Sequence, residues 1–146
     1  MMDKTPESRL GVYQSIDDVP PHHRLANHDL GDRDIWSEYL QHKDGNLRRS
    51  EDRAIRRWNE VMDERGTHHA LAEPEDVKAY TRLLVVENDY KSLTVKEYMS
   101  EPCRFYRWLL WHVEFPHRYN PVLLAATDHG PSRTAFDCYV THYTEL

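Results

Sequence analysis

Residues 91–121 read KSLTVKEYMSEPCRFYRWLLWHVEFPHRYNP, and this stretch decides the fold. It is the most apolar and aromatic part of the chain, and it carries signals for both ends of a helix. Thr94 is a candidate N-cap, with Ser92 two residues earlier as a rival, because a hydroxyl there accepts from an orphan amide of the first turn. Val95, Tyr98, Met99, Pro102, Phe105, Tyr106, Leu109 and Val113 recur at three- and four-residue steps, the period of a helix with one buried face. Trp108, Leu110 and Trp111 widen that face, so the helix is expected at the centre of a bundle, touched on several sides. Pro102 removes a backbone donor and predicts a kink after the second turn. Pro116 is the expected stop, and Asn120-Pro121 marks an exit into a linker or a new element.

Three shorter helices are expected before it. Asp34 can cap a run in which Ile35, Trp36, Tyr39 and Leu40 share a face. Gly45-Asn46 then reads as a turn. Ser50 is the expected cap of a second helix running to Arg65, with Gly66 as the residue that stops it. Ala54, Ile55, Trp58, Val61 and Met62 form its buried face at about 100° per residue. Arg49, Arg53, Arg56 and Arg57 fan over the opposite side, with Glu60 among them. The plain reading of that fan is a solvated face with Arg–Glu pairs. Thr67–Ala72 is a connection that drops Leu71 into the core. Glu73-Pro74-Glu75-Asp76 starts a third helix, with Pro at its first position and acids in its first turn. Val77, Tyr80, Thr81, Leu83 and Leu84, with Val86 as a weaker member, carry that helix to Asn88-Asp89.

The flanks are less regular. Residues 1–33 are polar and punctuated by Pro and Gly, and predict a flexible N-terminal arm with a short turn near Val19–Leu25. Residues 34–126 hold the helical domain, and 127–146 form a C-terminal tail. Val122–Ala126 fits a helical turn and Asp128–Pro131 a break. Phe136–Tyr143 fits a strand or a further helical turn. The expected fold class is all-α, a four- to five-helix bundle.

Composition bounds the function. With 146 residues the chain is long enough for one domain with a sizeable core. No apolar run reaches the roughly 18 residues that span a membrane, and the N-terminus lacks a secretory apolar core, so a cytoplasmic location is expected. Cys103 and Cys138 form no CxxC pair, and Cys103 reads as a small core residue. The ten His residues, with doublets at His22-His23 and His68-His69, lack ligand spacing, so no metal and no cofactor is expected. Net charge is -6, which opposes generic nucleic-acid binding. Yet 14 of the 19 basic residues are Arg and only 5 are Lys; abundant acids with few Lys fit a protein of a salt-rich cytoplasm, and a GC-biased genome would give part of the same Arg excess. No glycine-rich phosphate loop exists among 5 glycines. Asp17, Asp18 and Asp76 have no partners at helical spacing and read as solvent-facing. No small-molecule substrate is implied.

The order of these elements resembles the N-terminal core-binding domain of tyrosine recombinases, the phage-integrase and Xer-like family, in its haloarchaeal form. The resemblance covers about 34–126. It is carried by Trp58, Gly66, Pro74-Glu75-Asp76-Val77, Ser92, Thr94, Phe105-Tyr106-Arg107-Trp108-Leu109 and Asn120-Pro121. It implies a SAM-like bundle that clamps one side of duplex DNA through its second and fourth helices. Contacts would come from Arg49, Arg53, Arg56 and Arg57, and from Lys91, Ser92, Thr94 and Lys96. The chemistry agrees, since Arg and Lys neutralise phosphates and helix amides bind phosphate oxygens.

The family's catalytic domain is expected to be missing. About 25 residues follow Pro121, and none of the ten His residues has Arg three positions on. Tyr139 and Tyr143 lie outside any setting that resembles the family's nucleophile, so no enzyme activity is expected. Three readings follow. The chain is a DNA-binding module associated with DNA integration and recombination, with a full-length recombinase as a further partner. It is a truncated integrase remnant. Or it is a helical interaction module. A basic groove between the second and fourth helices favours the first, and an exposed Trp36 or Trp111 the third.

Overall fold

Asp34 opens the helical part of the chain. Its carboxylate accepts from the Ser37 amide at 3.2 Å and the Ser37 hydroxyl at 2.7 Å, capping helix α1, Ile35–His42. The computed structural model describes residues 13–42, 49–112 and 114–136. Within them follow α2 (Arg49–Glu64), α3 (Pro74–Arg82), a π-helical turn (Leu83–Glu87), α4 (Ser92–Trp111) and α5 (Pro121–Asp128). A last helical segment covers 130–136. No strand occurs among the described residues, and the all-α expectation holds.

Helix α2 stops as its sequence predicts. Gly66 takes φ +69°, the Thr67 amide donates to the Met62 carbonyl at 2.9 Å, and the Gly66 amide donates to Asp63 at 3.1 Å. That is a Schellman motif, and the left-handed backbone is what glycine supplies there. The other end differs. The helix already includes Arg49, so Ser50 is not its cap, and the side chains of both residues, like the Gly45-Asn46 turn, lie outside the described residues.

Helix α4 is central because neighbouring side chains serve different partners. Phe105 stacks on Trp36 of α1, with ring centroids 3.8 Å apart and planes 17° apart. Tyr106, one residue on and about 100° around the helix, meets Trp58 of α2 edge-on at 6.0 Å. Its hydroxyl accepts from the Ala72 amide at 2.9 Å and donates to the His69 carbonyl at 2.8 Å. Cys103 is buried in the same core. The ends of α4 differ from expectation. The Lys91 carbonyl accepts from Val95 at 3.0 Å, so the first turn closes before Thr94, and neither Thr94 nor Ser92 is the cap. The helix also ends before Pro116, at Trp111, where His112 takes an extended backbone and its ring donates from Nδ1 to the Trp108 carbonyl at 2.7 Å.

Pro102 lies inside α4 and has no amide for the carbonyl four residues back, Tyr98. The Tyr80 hydroxyl of α3 donates to that carbonyl at 2.6 Å. Thus a fully buried phenol supplies the bond that proline withholds. Tyr80→Phe should cost about 1–3 kcal/mol, the penalty for a buried acceptor left unpaired. In a Pro102→Ala background, where the backbone regains its donor, the same change should cost less. Equal costs in urea melts of both backgrounds would mean that the phenol does not serve this carbonyl.

The expected flexible arm is packed over its described part. Residues 16–27 form three 3₁₀ turns, Ile16–Asp18, Pro21–His23 and Leu25–Asn27, with Val19 and Leu25 buried in the common core. The Tyr119 hydroxyl accepts from the Leu25 amide at 2.8 Å and donates to the Glu73 carboxylate. Glu73 also accepts from the Ala26 amide at 3.0 Å. These bonds give the polar segment the fixed partners that its sequence does not reveal. Asp76 is likewise buried rather than solvent-facing. As the third residue of α3 it accepts from the Glu73 amide at 2.9 Å in a capping box and pairs with Arg65 at 2.7 Å.

Histidines tie the same layers together. His69 accepts from the Ile35 amide at 3.0 Å, a first-turn donor of α1. His68 accepts from Ala70 at 3.0 Å and donates to the Arg33 carbonyl at 2.8 Å. His117 donates to the Ala70 carbonyl at 2.5 Å. Burial pushes His69 and His117 down to about 4.

At the other end, Asn120 caps α5, accepting from Val122 at 3.0 Å, with Pro121 at the first helical position. The expected tail beyond 126 returns to the core within its described part. Ser132, Ala135 and Phe136 are buried, and the Ser132 and Thr81 hydroxyls meet at 2.7 Å. The rest of the Phe136–Tyr143 stretch lies outside the described residues.

Candidate nucleic-acid interface

The buried face of α2 fixes where its arginines point. Ala54, Ile55, Trp58, Val61 and Met62 are all buried. The helix cannot rotate without exposing them, so Arg53, Arg56 and Arg57 are held on the outer side. Their side chains are 56%, 74% and 31% exposed, respectively. All three line one groove of ≈ 330 Å³, together with Glu60, Asn88, Tyr90 and Tyr98. Tyr98 comes from the second turn of α4. The groove therefore lies between the second and fourth helices, the place where a basic groove favours DNA binding.

Its charge is balanced. Arg56 pairs with Asp52 at 3.0 Å, Arg57 with Glu60 at 3.0 Å, and Arg53 reaches Glu97 of α4 at 3.9 Å. Exposed pairs of this kind contribute about 0–1 kcal/mol, little enough for a phosphate to displace the carboxylate. Arg57 is the most constrained, with its Nε buried and no hydrogen bond made by it.

The other expected contacts divide. Arg49 and Ser92 occupy the first positions of α2 and α4, but their side chains lie outside the described residues. Lys91 is exposed beside the start of α4, and Thr94 and Lys96 are half-buried. None of these three lines the groove. Three lining residues escaped the sequence reading. Tyr98 belongs by its spacing to the apolar stripe of α4. Tyr90 and Asn88 sit in the connection before α4, where no periodicity marks a side chain's direction. Tyr90 and Tyr98 stack with centroids 5.5 Å apart and planes 12° apart.

The two tryptophans that would indicate a protein partner behave oppositely. Trp36 is buried, and its indole donates to Asn59 at 2.9 Å. Trp111 is 80% exposed beside Leu110 at the end of α4. Among the described residues no group of three or more His, Cys, Asp or Glu is placed to hold a metal, and no helix is long and apolar enough to cross a membrane. No family model matches the sequence, and neither a curated protein nor a solved structure matches it at a significant level.

Proposed function

We propose that the chain is a DNA-binding module, working as the core-binding domain of a tyrosine recombinase does, that holds duplex DNA without breaking a strand. One observation supports it above the others: Arg53, Arg56 and Arg57 converge on one groove against Tyr98 of the second turn of α4. Local field rather than net charge governs association, and on this face the field becomes basic where a phosphate displaces the Asp52 and Glu97 carboxylates from Arg56 and Arg53. Arg53 and Arg56 neutralise phosphates, and the start of α4, with Lys91 and Thr94, adds amides, a charge and a hydroxyl. The sequence offers no His-x-x-Arg for strand cleavage.

The test is fluorescence anisotropy with duplex DNA at several salt concentrations. Affinity should fall as salt rises. Arg53→Ala and Arg56→Ala should each weaken binding to every sequence and flatten the log–log salt slope by about one unit. Thr94→Ala should weaken binding and leave the slope nearly unchanged, since it carries no charge. Absence of binding at low salt, or arginine variants that bind like the parent, would remove the assignment. The exposure of Trp111 favours a second reading, a helical module that binds a protein partner through the end of α4. That reading would then take its place.

A further inference from the structure

We propose that the groove beside α2 takes one unpaired nucleotide of a DNA strand, its base stacked on the Tyr90–Tyr98 pair; this rests on the DNA-binding reading above. Holding a duplex backbone requires only cations on an outer face. It does not require a cavity, and it does not require aromatic rings. Here the cations line an open groove of ≈ 330 Å³ that also presents two aromatic rings, a volume at the lower end of the roughly 300–1,000 Å³ of small-molecule sites. One nucleotide is an occupant of that order, whereas a base pair stacked within a helix is not.

The lining suits the parts of a nucleotide. Tyr90 and Tyr98 are nearly parallel, 12° apart, and both are half-buried, so their rings form a platform. Every base has a π-face that extends such a stack, whatever its sequence. Asn88 brings an amide donor and acceptor for a base edge. Glu60 is an acceptor only. It repels phosphate and favours the exocyclic amine of an adenine or cytosine. The phosphate then falls to Arg53 and Arg56, the two most exposed guanidinium groups of the groove. Arg57, held by Glu60 at 3.0 Å, remains as a wall.

The experiment uses three labelled duplexes of one sequence: fully paired, carrying one unpaired adenine, and carrying an abasic unit at the same place. The abasic unit reproduces the backbone flexibility without the base. The unpaired adenine should bind roughly tenfold tighter than the abasic duplex, the worth of one base–aromatic stack. Replacing that adenine with 2-aminopurine should show fluorescence quenching on binding. Tyr90→Ala should bring the adenine duplex down to the abasic level, and Tyr90→Phe, which keeps the ring, should restore the preference. Thermal melts check that both variants are folded. Equal affinity for the adenine and abasic duplexes overturns the inference while leaving duplex binding in place. A preference that survives in folded Tyr90→Ala overturns it too. Free dAMP that displaces the adenine duplex at equal concentration overturns the requirement for a strand. No binding to any duplex removes both this inference and the reading beneath it.

Discussion

Trp58→Ala is expected to destabilise the protein by about 3–5 kcal/mol, the range for truncating a fully buried aromatic. Trp58 is wholly enclosed, and it meets Tyr80 edge-on at 4.9 Å and Tyr106 at 6.0 Å. It thus joins α2 to α3 and α4 at once. Its indole also donates to the His69 carbonyl at 2.9 Å, but that carbonyl keeps the Tyr106 hydroxyl at 2.8 Å. The loss should therefore come mainly from packing. Trp58→Phe, which keeps a ring and drops the donor, should lose clearly less than the alanine variant. Urea melts decide it, and a Trp58→Ala midpoint matching the parent would contradict the shared core.

Acid should destabilise the fold before most carboxylates titrate. His69 serves as an acceptor for a backbone amide, which only a neutral ring can do. His117 is buried among Tyr106 and Phe115, with His28 and His68 adding repulsion. Burial, the larger cause, holds both groups near 4 in the folded chain against an ordinary 6.5. Between those values the unfolded chain binds more protons. The stabilisation is therefore complete above about 6.5 and is lost progressively as pH falls towards 4. It amounts to about 3 kcal/mol at His117, and less at the half-exposed His69. His117→Gln retains an amide donor for Ala70 and cannot protonate. Its stability should fall less steeply than the parent's over that interval. Parallel pH profiles for the two would show that His117 is not the group responsible.

The helices were legible because periodicity and caps are local. Asp34, Gly66, Pro74 and Asn120-Pro121 act where they stand, and the apolar stripe of α2 places Trp58 in the core. Features that depend on distant partners were not legible. Asp76 looked isolated because Arg65 lies across a turn and the Glu73 amide is main chain. Residues 13–33 looked mobile because their anchors, Glu73 and Tyr119, are far along the sequence. The groove was half legible. The Arg fan follows from helical geometry, whereas the placement of Tyr90 and Asn88 depends on how the π-helical turn delivers the chain to α4. There Asp89 takes a left-handed φ of 50°.

The bond between Leu25 and Tyr119 joins residues 94 positions apart. Such a contact sets the timing of folding as much as its strength. During synthesis the segment around Leu25 emerges early, but it has no hydroxyl to meet until Tyr119 has been made. At about 5–20 residues per second that is a wait of roughly 5–20 s. For that interval the Leu25 amide lacks its Tyr119 partner. Long-range closure of this kind slows folding in general.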